Sequence, residues 1–181
     1  MSKALSKLAT IILLVIVSTF FISGTNIDRK LSVDTSVVDD YTMEITGNLN
    51  TNLNGVIDFE TGIQTTSKGI SFSMLKLKLT NDKNVLPHSI EFLISQENGA
   101  NILPTGVYKV SRNQESILNY FEGVFGFANI NALGELPLFT QSGEIQIKYL
   151  DDSMVEGTLR VLMSNTVGKS IRIAGNFTVK K

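Results

Sequence analysis

The chain has 181 residues, 43% of them hydrophobic and 18% charged, with a formal net charge of −1, no cysteine and no tryptophan. Without cysteine there are no disulfides, thiolate metal sites or cysteine nucleophiles, and no acylated cysteine of a bacterial lipoprotein. The basic residues are few and scattered, which argues against nucleic acid or an anionic membrane surface as partner, because both need a concentrated basic face.

At the N-terminus, Lys3 and Lys7 precede an apolar run from Leu8 to Ile22 that ends in Ser23, Gly24 and Thr25. A positive start, a short apolar core and small residues make a secretory signal peptide. The run is 15 residues long and includes Thr10, Ser18 and Thr19, whereas a helix crossing the hydrocarbon needs about 20 apolar residues. Length therefore favours cleavage, with Gly24 as the last residue of the signal. The alternative is an uncleaved N-terminal anchor, and only through it would the chain touch a membrane. Residues 1–24 carry two of the 16 basic residues and none of the 17 acidic ones, so the remainder has 14 against 17 and a charge of −3. Its length suits one domain that buries roughly 70% of its unfolded surface. Residues 25–40 read as a polar leader and 41–181 as a single β-domain.

From Tyr41 onward apolar residues recur at every second position, the spacing that sends alternate side chains to opposite faces of a strand. Met43, Ile45 and Leu49 share one face, Asn50 to Asn54 reads as a turn, and Ile57 and Phe59 return in a hairpin partner. In the next strand the apolar phase flips, from Ile70, Phe72 and Met74 to Leu75, Leu77 and Leu79. This predicts a bulge or a bend at Met74–Leu75. Asn81 to Asn84 makes a turn, and Ile90, Phe92 and Ile94 a strand with Pro87 at its start. Gln96 to Thr105 reads as a loop and Gly106 to Val110 as a short strand. Asn113 to Phe121 suits a short helix, Tyr120 to Ile130 a twisted strand, and Asn131 to Ser142 a long irregular connection. Three alternating segments follow, centred on Ile145–Tyr149, Val155–Met163 and Ile171–Val179, joined by turns at Asp151–Ser153 and Asn165–Gly168. They predict an antiparallel meander with one buried face. Gly157 and Gly175 fall on the buried phase, where glycine marks a bulge, a sharp coil or a backbone covered by a neighbouring aromatic.

Eight or nine strands without a long amphipathic helix define an all-β fold, an antiparallel β-sandwich or a small β-barrel; periodicity alone does not separate the two. A transmembrane barrel is disfavoured, because its outer face would need aromatic girdles and no tryptophan is present. The segments Leu103-Pro104-Thr105-Gly106-Val107-Tyr108, Ser142-Gly143, Leu150-Asp151-Asp152, Val155-Glu156-Gly157-Thr158-Leu159 and Ile173-Ala174-Gly175-Asn176-Phe177 together resemble a group of small Bacteroidetes envelope β-proteins of unknown function. Many of those proteins are lipoproteins. The resemblance implies a location and a fold, with no activity attached, and this chain lacks the cysteine that would carry the lipid.

Candidate chemistry is sparse. His88, the single histidine, has no visible nucleophile, carboxylate or co-ligand partner and reads as a surface or strand-edge residue. Asp58, Glu60, Asp151 and Asp152 are the acids that a carboxylate-based hydrolase would have to bring together, but Asp151 and Asp152 sit where a turn favours aspartate. Asp39-Asp40 and Asp151-Asp152 lack the spaced oxygens of a calcium loop, so neither a metal nor a cofactor is expected. Phe121, Phe125 and Phe127 could line an apolar pocket inside a barrel, though core packing accounts for the same residues. The expectation is an exported, non-enzymatic β-domain with a binding or structural role at the bacterial envelope, its partner an envelope protein. A lipocalin-like carrier of a small apolar ligand is the alternative, and a hydrolase a distant third.

Overall fold

The computed structural model describes residues 39–81, 86–97, 100, 102–110 and 121–181. The expected signal peptide, leader residues 25–38 and the expected helix over 113–120 lie outside them. Among the described residues nine strands follow in chain order: β1 (Asp39–Gly47), β2 (Thr51–Thr65), β3 (Ser71–Asn81), β4 (His88–Glu97), β5 (Gly106–Lys109), β6 (Gly123–Ile130), β7 (Leu138–Leu150), β8 (Met154–Ser164) and β9 (Ser170–Lys180).

Every pairing between named strands is antiparallel. Eight strands close on themselves in the order β7-β6-β4-β3-β2-β1-β9-β8 and back to β7. The fold is thus a closed eight-stranded barrel plus one extra strand, β5, which decides between the two architectures left open by the sequence. Closure removes the exposed edges that an open sheet would present.

The inward side chains fill this barrel. Met43, Ile45, Phe59, Leu75, Leu77, Leu79, Ile90, Phe92, Ile94, Ile145, Val155, Met163, Ile171 and Ile173 are all at most 1% exposed and belong to one core cluster. Eight strands enclose a space just wide enough for side chains, and large residues fit because glycine stands opposite them. A Cβ on Gly157 would lie 2.7 Å from Phe177 Cζ and 2.2 Å from the backbone oxygen of Gln146; one on Gly126 would lie 2.5 Å from Phe92 Cδ1. The outward positions carry Glu44, Asp58, Glu60, Lys78, Glu144, Lys148, Arg160, Arg172 and Lys180, all exposed. Apolar inside and charged outside is the reverse of the transmembrane-barrel pattern.

Several local expectations are corrected. The phase flip in β3 is not a bulge, because its register with β2 and β4 is continuous through Met74 and Leu75. Ser73 takes the inward slot with its hydroxyl on the carbonyl of Ala100 at 2.5 Å, which leaves Ile70, Phe72 and Met74 on the outer phase. The turn after β1 is shorter than the Asn50–Asn54 cluster, since β2 begins at Thr51 and Leu53 is buried. The long connection after β6 is a single 3-10 turn at Asn131–Leu133, and β7 begins at Leu138.

The real irregularities lie in β7, whose register against β8 shifts between Thr140 and Ser142 and again between Ile147 and Tyr149. Gly143, with φ +115°, follows the first shift; a Cβ there would sit 2.2 Å from the carbonyl oxygen of Arg160. Only glycine tolerates both conditions. The second shift turns Tyr149 outward, to 43% exposure, although simple alternation from Ile147 would bury it.

Candidate functional site

β6 and β7 pair only at Phe127–Phe139 and Ala128–Leu138. One residue further on, the Gly126 N–H donates to the side-chain hydroxyl of Thr140 at 3.0 Å instead of to a strand carbonyl. There the two strands part and β5 takes the vacated edge of β7, pairing Gly106 with Ile147 through Lys109 with Glu144. On its other side β5 touches β6 through one isolated parallel bridge, Val110–Val124. The result is a split in the barrel wall with an extra strand set into it.

The remaining gap is an open cleft of about 550 Å³, bounded by Pro104–Val110 on one side and by Ser95, Gln96, Glu122 and Gly123 on the other. Tyr108 forms its floor, 7% exposed. Its hydroxyl lies 3.2 Å from Gln96 Oε1 and also reaches the carbonyl of Pro104; burial pushes its pKa up. Glu122 receives the Glu97 N–H at 3.3 Å, capping the end of β4. Val107 stands at the rim, 52% exposed.

Two further clefts among the described residues are comparable in size. One of about 370 Å³ lies at the opposite end of the barrel, lined by Leu49, Thr51–Asn54, Asn81, Leu86 and His88. A polar groove of about 410 Å³ crosses the outer face of β7, β8 and β9, where Ala174 makes a shallow floor between Arg160 and Glu44.

The structure does not assemble the aromatic pocket. Phe121 is buried, but Phe125 and Phe127 face outward and are only partly covered, because the inward slot between them belongs to Gly126 and is occupied by the Phe92 ring. Phe125 stacks on the exposed Phe139 at 6.3 Å and meets Phe121 edge to face at 6.5 Å. These rings form a strip on the outer wall, not a lining of the lumen.

His88 is also corrected. It is 5% exposed and sits within the sheet, paired with Asn81 on one side and Ile130 on the other. Nδ1 donates to the carbonyl of Leu86 at 2.7 Å, and Nε2 accepts from the Tyr41 hydroxyl. Both ring nitrogens are committed, which is the arrangement of a satisfied core histidine rather than of a general base. Desolvation raises the Tyr41 pKa well above the usual tyrosine range.

Among the acids, Asp58 and Glu60 are exposed on the outer face of β2, opposite Lys78 and Lys76 of β3. Asp151 organises the β7–β8 turn, accepting from the Tyr149 hydroxyl (2.6 Å), the Ser153 N–H (2.8 Å) and hydroxyl (2.9 Å), and the Met154 N–H (2.7 Å). The Tyr149 hydrogen bond first, then those from Ser153, lower its pKa to about 2. None of the four candidate acids lines any of the three clefts. Among the described residues no group of three His, Asp or Glu could hold a metal.

Sequence reasoning missed the cleft beside β5. The available signal was the short strand Gly106–Val110 between two loop-like stretches, too short to cross a barrel wall by itself. The class that emerges is a closed antiparallel barrel, filled by its own side chains, with an auxiliary strand and an exterior cleft. No family model, no curated protein and no solved structure matches the chain.

Proposed function

We propose that this chain is an exported, non-enzymatic binding module of a bacterial cell envelope, cut after Gly24 and engaging an envelope protein through the outside of its barrel. The observation that carries the reading is the filled lumen. Each fully buried large apolar side chain contributes roughly 1.5–3 kcal/mol. Displacing three or four to admit a ligand would therefore consume most of a stability of about 5–15 kcal/mol. A lipocalin-like carrier keeps such a space open, so recognition here falls to exterior clefts. The positive start and short apolar run at residues 3–22 support export, as does the absence of thiols. The non-enzymatic part rests on the occupied nitrogens of His88 and on the saturated carboxylate of Asp151.

The test is to isolate the protein from cells that express the full chain, determine its N-terminal residue, then denature it, extract with solvent and weigh the extract by mass spectrometry. A chain beginning at Thr25, recovered outside the cytoplasm with no stoichiometric lipid, is the expected result. Lipid at one molecule per chain would establish the carrier instead.

A further inference from the structure

We propose that the polar groove on the outer face of β7, β8, β9 and β1 is a saccharide-binding site, which takes a short chain of sugars through their hydroxyl groups. The proposal stands on the groove's own residues, independently of export and of a protein partner. Two rows of outward side chains cross these strands. In the first, the register sets Glu144 opposite Arg160, Arg160 opposite Ala174, and Ala174 opposite Glu44. In the second, Gln146 faces Thr158 and Thr158 faces Asn176. Adjacent strands lie about 4.8 Å apart, so the first row spans about 14 Å. An acid and a guanidinium opposite one another on a sheet ordinarily make a cross-strand ion pair. Here Glu144, Arg160 and Glu44 make none among the described residues, and no side-chain hydrogen bond engages Gln146, Thr158 or Asn176. The middle of the groove is open because Ala174 contributes one methyl group, while Leu159 and Gly175 stand on the inward phase and leave only main chain at the floor.

The order of charges selects the ligand class. Carboxylates only accept hydrogen bonds, a guanidinium only donates, and amides and hydroxyls do both. An anion seated on Arg160 lies between two carboxylates, and a cation seated on Glu144 lies beside the guanidinium, so a ligand of either net charge meets repulsion one or two strands away. A hydroxyl donates to Glu144 or Glu44 and accepts from Arg160 without that conflict. A zwitterion satisfies the first row but leaves the uncharged second row unused, whereas a sugar chain presents hydroxyls to both. The volume of about 410 Å³ falls in the range of small-ligand sites, and strands hold the six polar side chains at fixed spacing, a more precise platform than a loop. No aromatic ring lines the groove among the described residues. Recognition therefore rests on hydrogen bonds without stacking, and a dissociation constant of about 1 mM is expected.

The experiment follows backbone amide shifts of the folded, isotope-labelled protein during titration with cellotetraose, maltotetraose, mannotetraose and chitotetraose. At least one of them is expected to give saturable shifts at Thr158, Arg160, Ala174, Gly175 and Asn176. Ala174→Gln fills the floor from an outward position, and Arg160→Ala removes the donor-only group. Each is expected to weaken binding about tenfold while the melting temperature stays put. Arg172→Ala makes the same charge change on the outer face beyond the groove, and binding should be unaltered by it. Should one groove variant fail to fold, the other decides the question by itself. No saturable shift from any of the four sugars up to about 10 mM overturns the proposal, as does binding that neither groove variant weakens. Phosphoethanolamine, a zwitterion, is the rival probe: saturation of the same amides by it, with no response to the sugars, would also overturn the saccharide assignment.

Discussion

The hydroxyl of Tyr108 on β5 lies 3.2 Å from Oε1 of Gln96 on β4, and this contact lies beside the split between β6 and β7. Together with the Val110–Val124 bridge it ties the extra strand to the strands on its far side. Tyr108→Phe removes the tie without emptying the floor. It is expected to cost about 1 kcal/mol in urea denaturation and to speed amide hydrogen exchange at Gly106–Lys109 more than elsewhere in the sheet.

The glycines that admit large inward residues should be intolerant of a methyl group. In Gly157→Ala the new Cβ meets the Phe177 ring and a backbone oxygen, and in Gly126→Ala it meets Phe92 and the carbonyl of Glu91. A loss of about 1–3 kcal/mol is expected for each. Gly62, where an added methyl would meet nothing within 4 Å, is the control: Gly62→Ala should change stability by less than about 0.5 kcal/mol. Thermal or urea unfolding of the three variants side by side checks the ranking.

Much of this architecture is legible in the alternation of apolar residues, which identifies the buried face of β1, β4, β8 and β9 correctly. Gly157 beneath Phe177 follows the reading of a glycine covered by an aromatic. Where polar residues sit inside, alternation misleads. Ser73 holds an inward position of β3, so the apolar Phe72 and Met74 beside it imitate a phase change. Size misleads at β6, where Gly126 faces in and its phenylalanine neighbours face out, because the space is filled from β4. Barrel closure, the split between β6 and β7 and the Tyr41–His88 contact depend on which strands become neighbours, which no local pattern encodes.

Tyr41 provides an alkaline signature. Burial raises its pKa above the ordinary value of about 10, so the protonated phenol is the form that the fold favours. Stability from this group is full below pH 10 and is lost as the pH rises beyond it. Spectrophotometric titration should show Tyr41 resisting ionisation until the barrel unfolds, and Tyr41→Phe should remove that late step. The same variant should cost about 1–3 kcal/mol, because the hydroxyl that serves His88 Nε2 is gone.

Asp151 provides the acid counterpart. Its pKa is lowered to about 2 by Tyr149 and Ser153, so its contribution is fully present above the ordinary carboxylate range near 4 and fades as the pH falls through about 2. Asp151→Ala should fray the β7–β8 turn at neutral pH, seen as faster exchange at Ser153 and Met154. The stability difference between it and the parent protein should shrink as the pH approaches 2.

The filled lumen can be tested with the isoleucine and leucine methyl groups labelled for NMR, while the folded protein is titrated with a medium-chain fatty acid. Leu75, Leu77, Ile90 and Ile94 are fully buried inside the barrel, and their methyl resonances are predicted to stay unmoved to the solubility limit of the acid. Saturable shifts at these methyls would show that the lumen opens to an apolar ligand and would contradict the account.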